Sequence, residues 1–494
     1  MTAQTILPAN TLSSGGFDVT NSIRFEKADT SYLGINYNDS SRTGNRKKWT
    51  WSGWIKLASF ATNQDIFGRW NGDGKVTRLR IQDDGSVRFH CLNGDGNHEA
   101  RFTSTGLIRD PAAWGNIIVA MDTTQSTDTN RLKIYWNGAA MPGTYANYPD
   151  EDEQFASLFN SNVAHVIGFD NGDTEYYYDG YLCEVNFIDD AQLTPTSFGE
   201  FEEDSGIWRP IDTSGLTFGT TGYRLEFKQT EIQPNSGAAD ADGLGADTSG
   251  RANHWTSNSG LAVTDQSTDT CTNNFCTWNF LDRFYTSAVF SEGNTVVQTP
   301  NASQTYCTST FGLSSGKWYV EVLTEDGSNR DNIGIVDSIS LANDSDNNLY
   351  AKSKGYSYRG WTTTPGVWNN GSKLSGTFAS YSSPNTISIA LDLDNNKLYF
   401  AKDGTWQNSG DPTSGATGTG AISITAASSL NNGQYFIAVG DEVTSDDTTY
   451  RGNFGSPFFA ISSGNADGNG HGNFEYAVPS GYFAICTKNL AEHG

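Results

Sequence analysis

The sequence predicts an all-β protein built from two tandem antiparallel β-sandwiches. Three observations predict this fold class: short segments alternate apolar and polar residues, turn residues separate these segments, and aromatic residues are abundant. The 494 residues include 53 Gly, 13 Trp, 22 Tyr and 27 Phe, while only 18% are charged. This composition favours strands joined by turns over helices. The length suits two or three domains, each large enough to bury its own core.

Period-two segments identify the strands of the first sandwich. The odd positions of segment 49–57 are apolar residues or Gly, so one face of this strand should be buried. One short helix is predicted to open at Thr194 and Pro195, with Phe198 and Phe201 on a shared face. The alternation recurs in Val87/Phe89/Cys91, Leu132/Ile134/Trp136 and Tyr181/Cys183/Val185/Phe187.

Strand signals resume in the C-terminal part of the chain. Trp318 and Val320 occupy alternate positions of one segment. The apolar residues of 387–393 and 398–400 flank an Asp-Asn-Asn turn, which predicts a hairpin. A stretch rich in polar residues and Gly lies between the sandwiches, as is typical of an extended connector. We therefore divide the chain into an N-terminal segment 1–22, a first sandwich 23–228, a connector 229–290 and a second sandwich 291–494.

The net charge argues against two classes of partner. The 31 Lys and Arg residues are outnumbered by 56 Asp and Glu residues, which gives a formal charge of -25. Such a chain repels nucleic-acid phosphates and anionic membrane surfaces, so we expect neither as a partner. The sequence has no apolar run of transmembrane length, and its first residues lack the pattern of a signal peptide. We therefore expect no membrane insertion and a start in the cytoplasm.

Motifs for catalysis are weak. Gly312-Leu-Ser-Ser-Gly316 has the letters of a hydrolase nucleophile elbow, but a predicted strand follows it where the chemistry needs a helix. The six His residues lack the spacing of a zinc protease, and the sequence offers no strand with the closely spaced carboxylates of a retaining glycosidase. We predict that the chain is not an enzyme.

Two acidic loops are candidate calcium sites, and calcium is the one cofactor that the sequence suggests. Asp240, Asp242 and Asp247 are separated by Gly, Leu and Ala, as in oxygen-rich calcium loops, although the closing bidentate Glu of an EF-hand is missing. Asp170 and Asp173 form the second candidate. The alternative for both loops is a plain acidic turn without metal.

Aromatic residues on predicted loops are the candidate ligand-binding residues. Trp361, Trp368 and Trp406 lie close to Gly or amide-bearing residues, and Arg359 precedes Trp361 by two positions. Such rings can stack on a sugar face while the polar neighbours bond its hydroxyls. Packing in the core or between subunits is the alternative for each ring. The alternation around Tyr358 assigns that residue to the core.

Each half of the chain resembles a known family. Residues 23–228 resemble the laminin G-like, concanavalin A-like jelly rolls, through Trp51-Ser-Gly-Trp-Ile55 and Tyr178-Asp-Gly-Tyr-Leu-Cys-Glu-Val-Asn-Phe187. Residues 312–494 resemble a SPRY domain, through Gly316-Lys-Trp-Tyr-Val-Glu-Val322 and Asn453-Phe-Gly-Ser-Pro-Phe458. The pairing of the two is similar to virion proteins of tailed bacteriophages.

This resemblance implies a non-enzymatic virion protein. The main hypothesis is a tail-fibre-like adhesin that binds a host cell-surface glycan or protein and attaches to other virion proteins through residues 1–22. We expect it to be a homotrimer, assembled in the host cytoplasm and located in the virion, with Trp255 and Trp278 packed against a sandwich or another subunit. A head or tail decoration protein without a ligand and a glycan-degrading tailspike are the alternatives.

Overall fold

The strands form separate sets of sheets in two units, which adjoin in the sequence between Asn273 and Asn274. Each unit holds two large, almost entirely antiparallel sheets, which confirms the predicted all-β fold with two tandem sandwiches. Within the part of the chain that is described, no helix has the length and hydropathy needed to cross a membrane. The computed structural model describes residues 16–36, 44–60, 62–70, 75–93, 99–155, 164–169, 176–232, 241–258, 260–283, 288–299, 305–325, 331–338, 348–442 and 447–494.

The described residues of the N-terminal unit form the first eighteen strands and three 3₁₀ turns. The turns are Asp128–Asn130, Pro195–Ser197 and Val263–Asp265. The strands are β1 (Ser22–Phe25), β2 (Tyr32–Asn36), β3 (Lys48–Leu57), β4 (Gln64–Trp70), β5 (Lys75–Ile81), β6 (Ser86–Asn93), β7 (Glu99–Leu107), β8 (Gly115–Asp122), β9 (Leu132–Trp136), β10 (Ala139–Ala140), β11 (Gly143–Asn147), β12 (Ala164–Ile167), β13 (Gly180–Asp189), β14 (Gly199–Phe201), β15 (Trp208–Pro210), β16 (Tyr223–Leu225), β17 (Thr256–Asn258) and β18 (Gln266–Ser267).

Two sheets of this unit face each other across its core. Sheet I has the order β10-β9-β8-β3-β13-β1-β18, with β16 paired to β13, and sheet II has the order β11-β7-β6-β5-β4-β12-β2-β17. Trp51 of sheet I stacks on Phe67 of sheet II with ring centroids 4.8 Å apart, and Trp49 lies 6.0 Å from Phe89. These side chains are buried, as the alternation predicts. Each large apolar side chain so buried stabilises the fold by about 1.5 to 3 kcal/mol.

The predicted connector is divided between the two units. Its strand β17 pairs with β2, and β18 pairs with β1, so this part of the segment belongs to the N-terminal sandwich. Trp255 is only 2% exposed and packs edge-on against Tyr223, with centroids 5.0 Å apart. This polar, Gly-rich segment joins the sheets through backbone hydrogen bonds. Because this pairing does not depend on apolar side chains, the sequence shows no apolar alternation that would predict strands.

The predicted short helix is a single 3₁₀ turn, Pro195–Ser197, followed directly by β14. Phe198 is buried, but Phe201 is 55% exposed because it lies on a strand and does not share a helical face with Phe198. Spacing of three residues alone therefore does not establish a helix.

The described residues of the C-terminal unit form sixteen further strands, four 3₁₀ turns and one α-helix. The helix is α1 (Thr487–His493), and the turns are Leu349–Ala351, Gln407–Ser409, Pro412–Thr417 and Ala427–Ser429. The strands are β19 (Trp278–Arg283), β20 (Val289–Ser291), β21 (Val296–Gln298), β22 (Thr305–Ser309), β23 (Lys317–Glu325), β24 (Asp331–Val336), β25 (Tyr356–Arg359), β26 (Gly366–Asn369), β27 (Ser372–Lys373), β28 (Thr386–Asp392), β29 (Lys397–Lys402), β30 (Thr405–Trp406), β31 (Ile422–Ser423), β32 (Phe436–Asp441), β33 (Thr449–Asn453) and β34 (Phe483–Ala484).

Two sheets again enclose the apolar core of this unit. Sheet III has the order β19-β22-β32-β24-β25-β26-β27, and sheet IV has the order β20-β21-β33-β23-β28-β29-β30, with β31 on β29 and β34 on β23. The predicted hairpin is confirmed, since β28 pairs with β29 and places Leu391 opposite Leu398. Tyr358 is fully buried, as predicted, and its ring lies 5.4 Å from that of Phe400. Trp278 is buried against Phe454.

Candidate functional site

Three rings surround Arg359 in the C-terminal unit. Arg359 ends β25, Tyr350 lies in the turn Leu349–Ala351, and Trp368 belongs to β26. The guanidinium carbon of Arg359 lies 4.2 Å from the ring centroid of Tyr350, 4.9 Å from that of Trp361 and 4.4 Å from that of Trp368. These four residues are termed the Arg359 cluster. Each cation–π contact of this kind stabilises by about 0.5 to 2 kcal/mol.

Glu442 fixes the arginine of the cluster. Arg359 is 3% exposed, and its Nη2 donates to both carboxylate oxygens of Glu442, which is itself 8% exposed. A buried charge without a partner is costly, so this ion pair is needed to keep the guanidinium among the rings. Trp361 and Trp368 are half-buried, which leaves part of each ring at the surface. The cluster is thus a rigid, partly exposed aromatic surface.

Buried carboxylates lie next to the cluster. Asp331 of β24 is directly opposite Asp441 of β32, and its backbone carbonyl accepts from the N–H of Gly360 at 3.1 Å. Burial is the main cause that raises the pKa of Asp331 to about 6; the charge of Glu442 contributes to the rise, and a hydrogen bond from Thr448 to Oδ1 opposes it. Asp331 therefore titrates in mildly acidic solution.

The structure brings three of the four predicted ligand-binding residues together. Arg359, Trp361 and Trp368 form one cluster, whereas Trp406 belongs to a separate apolar group in which its ring lies 6.5 Å from Tyr399. Tyr350 completes the ring cluster but was not predicted, because it reaches Arg359 only through the fold of β25 and its preceding turn.

The predicted calcium loops are only partly described. Asp170, Asp173 and Asp240 lie outside the described residues, and Asp242 is exposed. Among the residues that are described, no three His, Cys, Asp or Glu side chains come together as a metal site would require.

Asp247 organises a turn of the N-terminal unit. Its Oδ1 accepts from the backbone N–H of Arg224 at 2.9 Å and of Ser249 at 2.8 Å, and its Oδ2 accepts from the N–H of Asn253 at 2.9 Å. Both carboxylate oxygens thus accept hydrogen bonds from backbone N–H groups, as in the acidic-turn alternative.

The fold of the N-terminal unit agrees with a family match. Residues 29–196 match the concanavalin A-like lectin/glucanases superfamily (Laminin_G_3). This lectin/glucanase match covers the strands of both sheets from β2 to β13. A search of curated proteins finds no significant match to the chain.

Several solved structures are similar to parts of this chain at low sequence identity. A heptameric SAP-like pentraxin from Limulus polyphemus is 15% identical, covering 36% of this chain and 80% of the pentraxin, with a TM-score of 0.27. The SPRY domain of human HERC1 is 12% identical, covering 35% and 96%, with a TM-score of 0.27. The CBM40 module of the Ruminococcus gnavus IT-sialidase is 16% identical, covering 36% and 96%, with a TM-score of 0.27.

Proposed function

We propose that the chain is a non-enzymatic adhesin of a tailed-bacteriophage particle, which binds a host surface glycan through the Arg359 cluster. The observation that carries this proposal is the partly exposed pair of rings, Trp361 and Trp368, held on a guanidinium that Glu442 fixes. A sugar ring buries its apolar face on such an aromatic surface. Rings that are already fixed lose little side-chain entropy when they bind a ligand.

The other parts of the proposal have separate support. The lectin/glucanase match over residues 29–196 supports sugar as the ligand class. The sequence motifs shared with phage virion proteins support a location in the virion, with attachment to other virion proteins through residues 1–22. A homotrimer would present several copies of a weak site and so raise the overall avidity. A host surface protein is the alternative ligand.

Single replacements of the two rings test the site. A glycan array first identifies a ligand for the full chain, and calorimetric titration then measures its affinity. Trp361→Ala and Trp368→Ala should each weaken binding by about 5- to 150-fold, by analogy with stacking energies of about 1 to 3 kcal/mol. Trp406→Ala is the matched control, because Trp406 lies in a different cluster, and it should bind as the wild type does. Thermal unfolding identifies variants that fail to fold.

Three outcomes would contradict the proposal. Wild-type affinity in both folded Trp variants would remove the Arg359 cluster as the site. Release of shortened oligosaccharides would indicate a tailspike, and absence of binding to intact host cells would indicate a decoration protein. Light scattering tests the assembly separately, and a monomer at working concentration would contradict the proposed trimer.

A further inference from the structure

Sheet II of the N-terminal unit carries a group of arginines on the face turned away from the core. Leu79 of β5, Phe89 of β6 and Phe102 of β7 belong to the apolar core. Because side chains alternate across a strand, the neighbours of these residues face outward. The outward residues of three adjacent strands include Arg78 and Arg80 on β5, Arg88 on β6 and Arg101 on β7. These four residues are termed the arginine face.

The pairing of the strands places like charges side by side. Arg80 lies directly opposite Arg88, and His90 lies opposite both Arg78 and Arg101. Like charges in directly opposed positions destabilise a sheet. An outward position accepts any polar side chain, and the chain as a whole carries a charge of -25. The fold therefore does not require arginine at these outward positions.

Among the described residues, carboxylates pair with Arg80 and Arg101 of the arginine face. Asp65 is engaged by Arg80, which donates Nε and Nη2 to its two oxygens at 2.7 Å each. Glu99 lies 3.4 Å from Nη1 of Arg101. Arg88 has no ion pair within the described residues, and its Nε is buried without a hydrogen-bond partner there. Among the described residues, Arg88 is thus an arginine without an ion pair, and the carboxylate that acts on its pKa is that of Glu99.

The pKa values of Arg88 and His90 reflect the positive potential of the arginine face. Burial lowers the pKa of Arg88, and the charges of Arg101, Arg78 and Arg80 lower it further, against an opposing effect of a nearby carboxylate. Burial and the charge of Arg78 are the main causes that lower the pKa of His90 to about 4, so His90 is neutral near pH 7. An anion that reached this face would relieve the repulsion.

Part of the arginine face is accessible. The side chain of Arg101 is 37% exposed, and Arg78 and Arg88 are half-buried. Adjacent strands lie about 4.8 Å apart, so the three strands spread the guanidinium groups over about 10 Å. Each guanidinium offers a planar pair of donors that matches a carboxylate or a sulfate group.

We propose that the arginine face binds an acidic glycan, a polysaccharide whose sugars carry carboxylate or sulfate groups, with Arg88 and Arg101 as its main contacts. This site goes beyond the proposed function, because it lies in the N-terminal unit whereas the Arg359 cluster lies in the C-terminal unit. The arginine face recognises acidic groups, whereas the Arg359 cluster recognises the apolar face of a sugar. The net charge of -25 opposes the approach of any polyanion at long range, so binding depends on local pairing of acidic groups with the guanidinium groups of the arginine face.

The test uses the full chain and three polymers with one backbone: dextran, carboxymethyl dextran and dextran sulfate. The wild type should bind the two charged polymers, more weakly as salt is added, and should not bind dextran. Arg88→Gln/Arg101→Gln should bind at least about tenfold more weakly, because two charge-assisted hydrogen-bond donors are lost. Lys133→Gln, which removes one charge from β9 of sheet I, is the matched control and should bind as the wild type does.

Several results would overturn the proposal. Equal binding of dextran and dextran sulfate would do so, as would wild-type affinity in the folded double variant or tighter binding of single-stranded DNA than of either charged polymer. Trp361→Ala separates this proposal from the proposed function. It should leave dextran sulfate binding unchanged, whereas loss of that binding would assign the acidic polymer to the Arg359 cluster and contradict the arginine face. A preference between the two charged polymers identifies the acidic group.

Discussion

The Arg359 cluster and the arginine face show two different uses of arginine on a β-sheet. Arg359 is 3% exposed, ion-paired to Glu442 and enclosed by three rings. Arg88 lies opposite Arg80 and has no ion pair within the described residues. A guanidinium in an ion pair holds neighbouring rings in place, whereas one without an ion pair among the described residues can bind an anion. The partners of an arginine therefore indicate its role better than its burial does.

The largest expected effect comes from removing the partner of Arg359. Glu442→Gln keeps the shape of the side chain but leaves the buried guanidinium without a counter-charge. We expect the free energy of unfolding to fall by about 3 to 5 kcal/mol, because a buried charge without its partner is strongly destabilising. Denaturant unfolding of the full chain, followed through the transition of the C-terminal unit, measures this loss.

Glu325→Gln is the matched control for that variant. Glu325 pairs with Arg451 at a site where both side chains are partly exposed, 36% and 26%, so its loss should cost no more than about 1 kcal/mol. Equal losses in the two variants would show that Arg359 is not held by a buried charge pair.

A smaller effect is expected from Asp331, beside the Arg359 cluster. Its pKa of about 6 in the folded protein exceeds the ordinary value of 3.8, so the folded state binds more protons between these values. This contribution to stability is complete below about pH 4 and is lost as the pH rises through 6. Asp331→Asn removes it, so the stability of the variant relative to the wild type should rise by about 2 kcal/mol from pH 4 to pH 6.

The control for this pH dependence is the same comparison above pH 7. There the difference between Asp331→Asn and the wild type should stay constant, because Asp331 is ionised in both folded and unfolded chains. A difference that is also constant between pH 4 and pH 6 would show that burial does not shift this carboxyl.

The smallest effect on stability is expected from the arginine face. Arg88→Gln removes a charge that is surrounded by other arginines, so its unfolding free energy should stay within about 0.5 kcal/mol of the wild type or rise. Arg80→Gln is the contrasting variant, because it leaves the buried carboxylate of Asp65 without its bidentate partner and should be clearly destabilised. A larger loss for Arg88→Gln than for Arg80→Gln would assign Arg88 a structural role.

Alternation predicted the strands whose one face is buried, and it failed where hydrogen bonds organise the chain. The hairpin with Leu391 opposite Leu398 has a clear period of two, because its apolar side chains must all reach one core. The segment around Asp247 has no such pattern. It is fixed by backbone N–H groups that donate to one carboxylate, including that of Asn253. The boundary predicted near residue 229 therefore differs from that between Asn273 and Asn274.

The candidate sites were predictable only as far as their residues are close in the chain. Arg359 and Trp361 are two positions apart, but Glu442 approaches them only through the pairing of β24 with β32 and β25. One local feature of the sequence indicates the arginine face: Arg78 and Arg80 share the polar phase of one strand in a strongly acidic chain. The register that adds Arg88 cannot be derived from composition or periodicity.

The most direct test of the difference between the two arginine sites is calorimetric unfolding of Arg88→Gln and wild-type chains with and without dextran sulfate. A ligand that binds only the folded state raises the melting temperature. We expect dextran sulfate to raise the melting temperature of the N-terminal unit in the wild type, and to raise that of Arg88→Gln clearly less. Without ligand, the melting temperature of Arg88→Gln should equal or exceed that of the wild type. An Arg88→Gln chain that melts several degrees lower without ligand, and is still stabilised by dextran sulfate as the wild type is, would contradict the account.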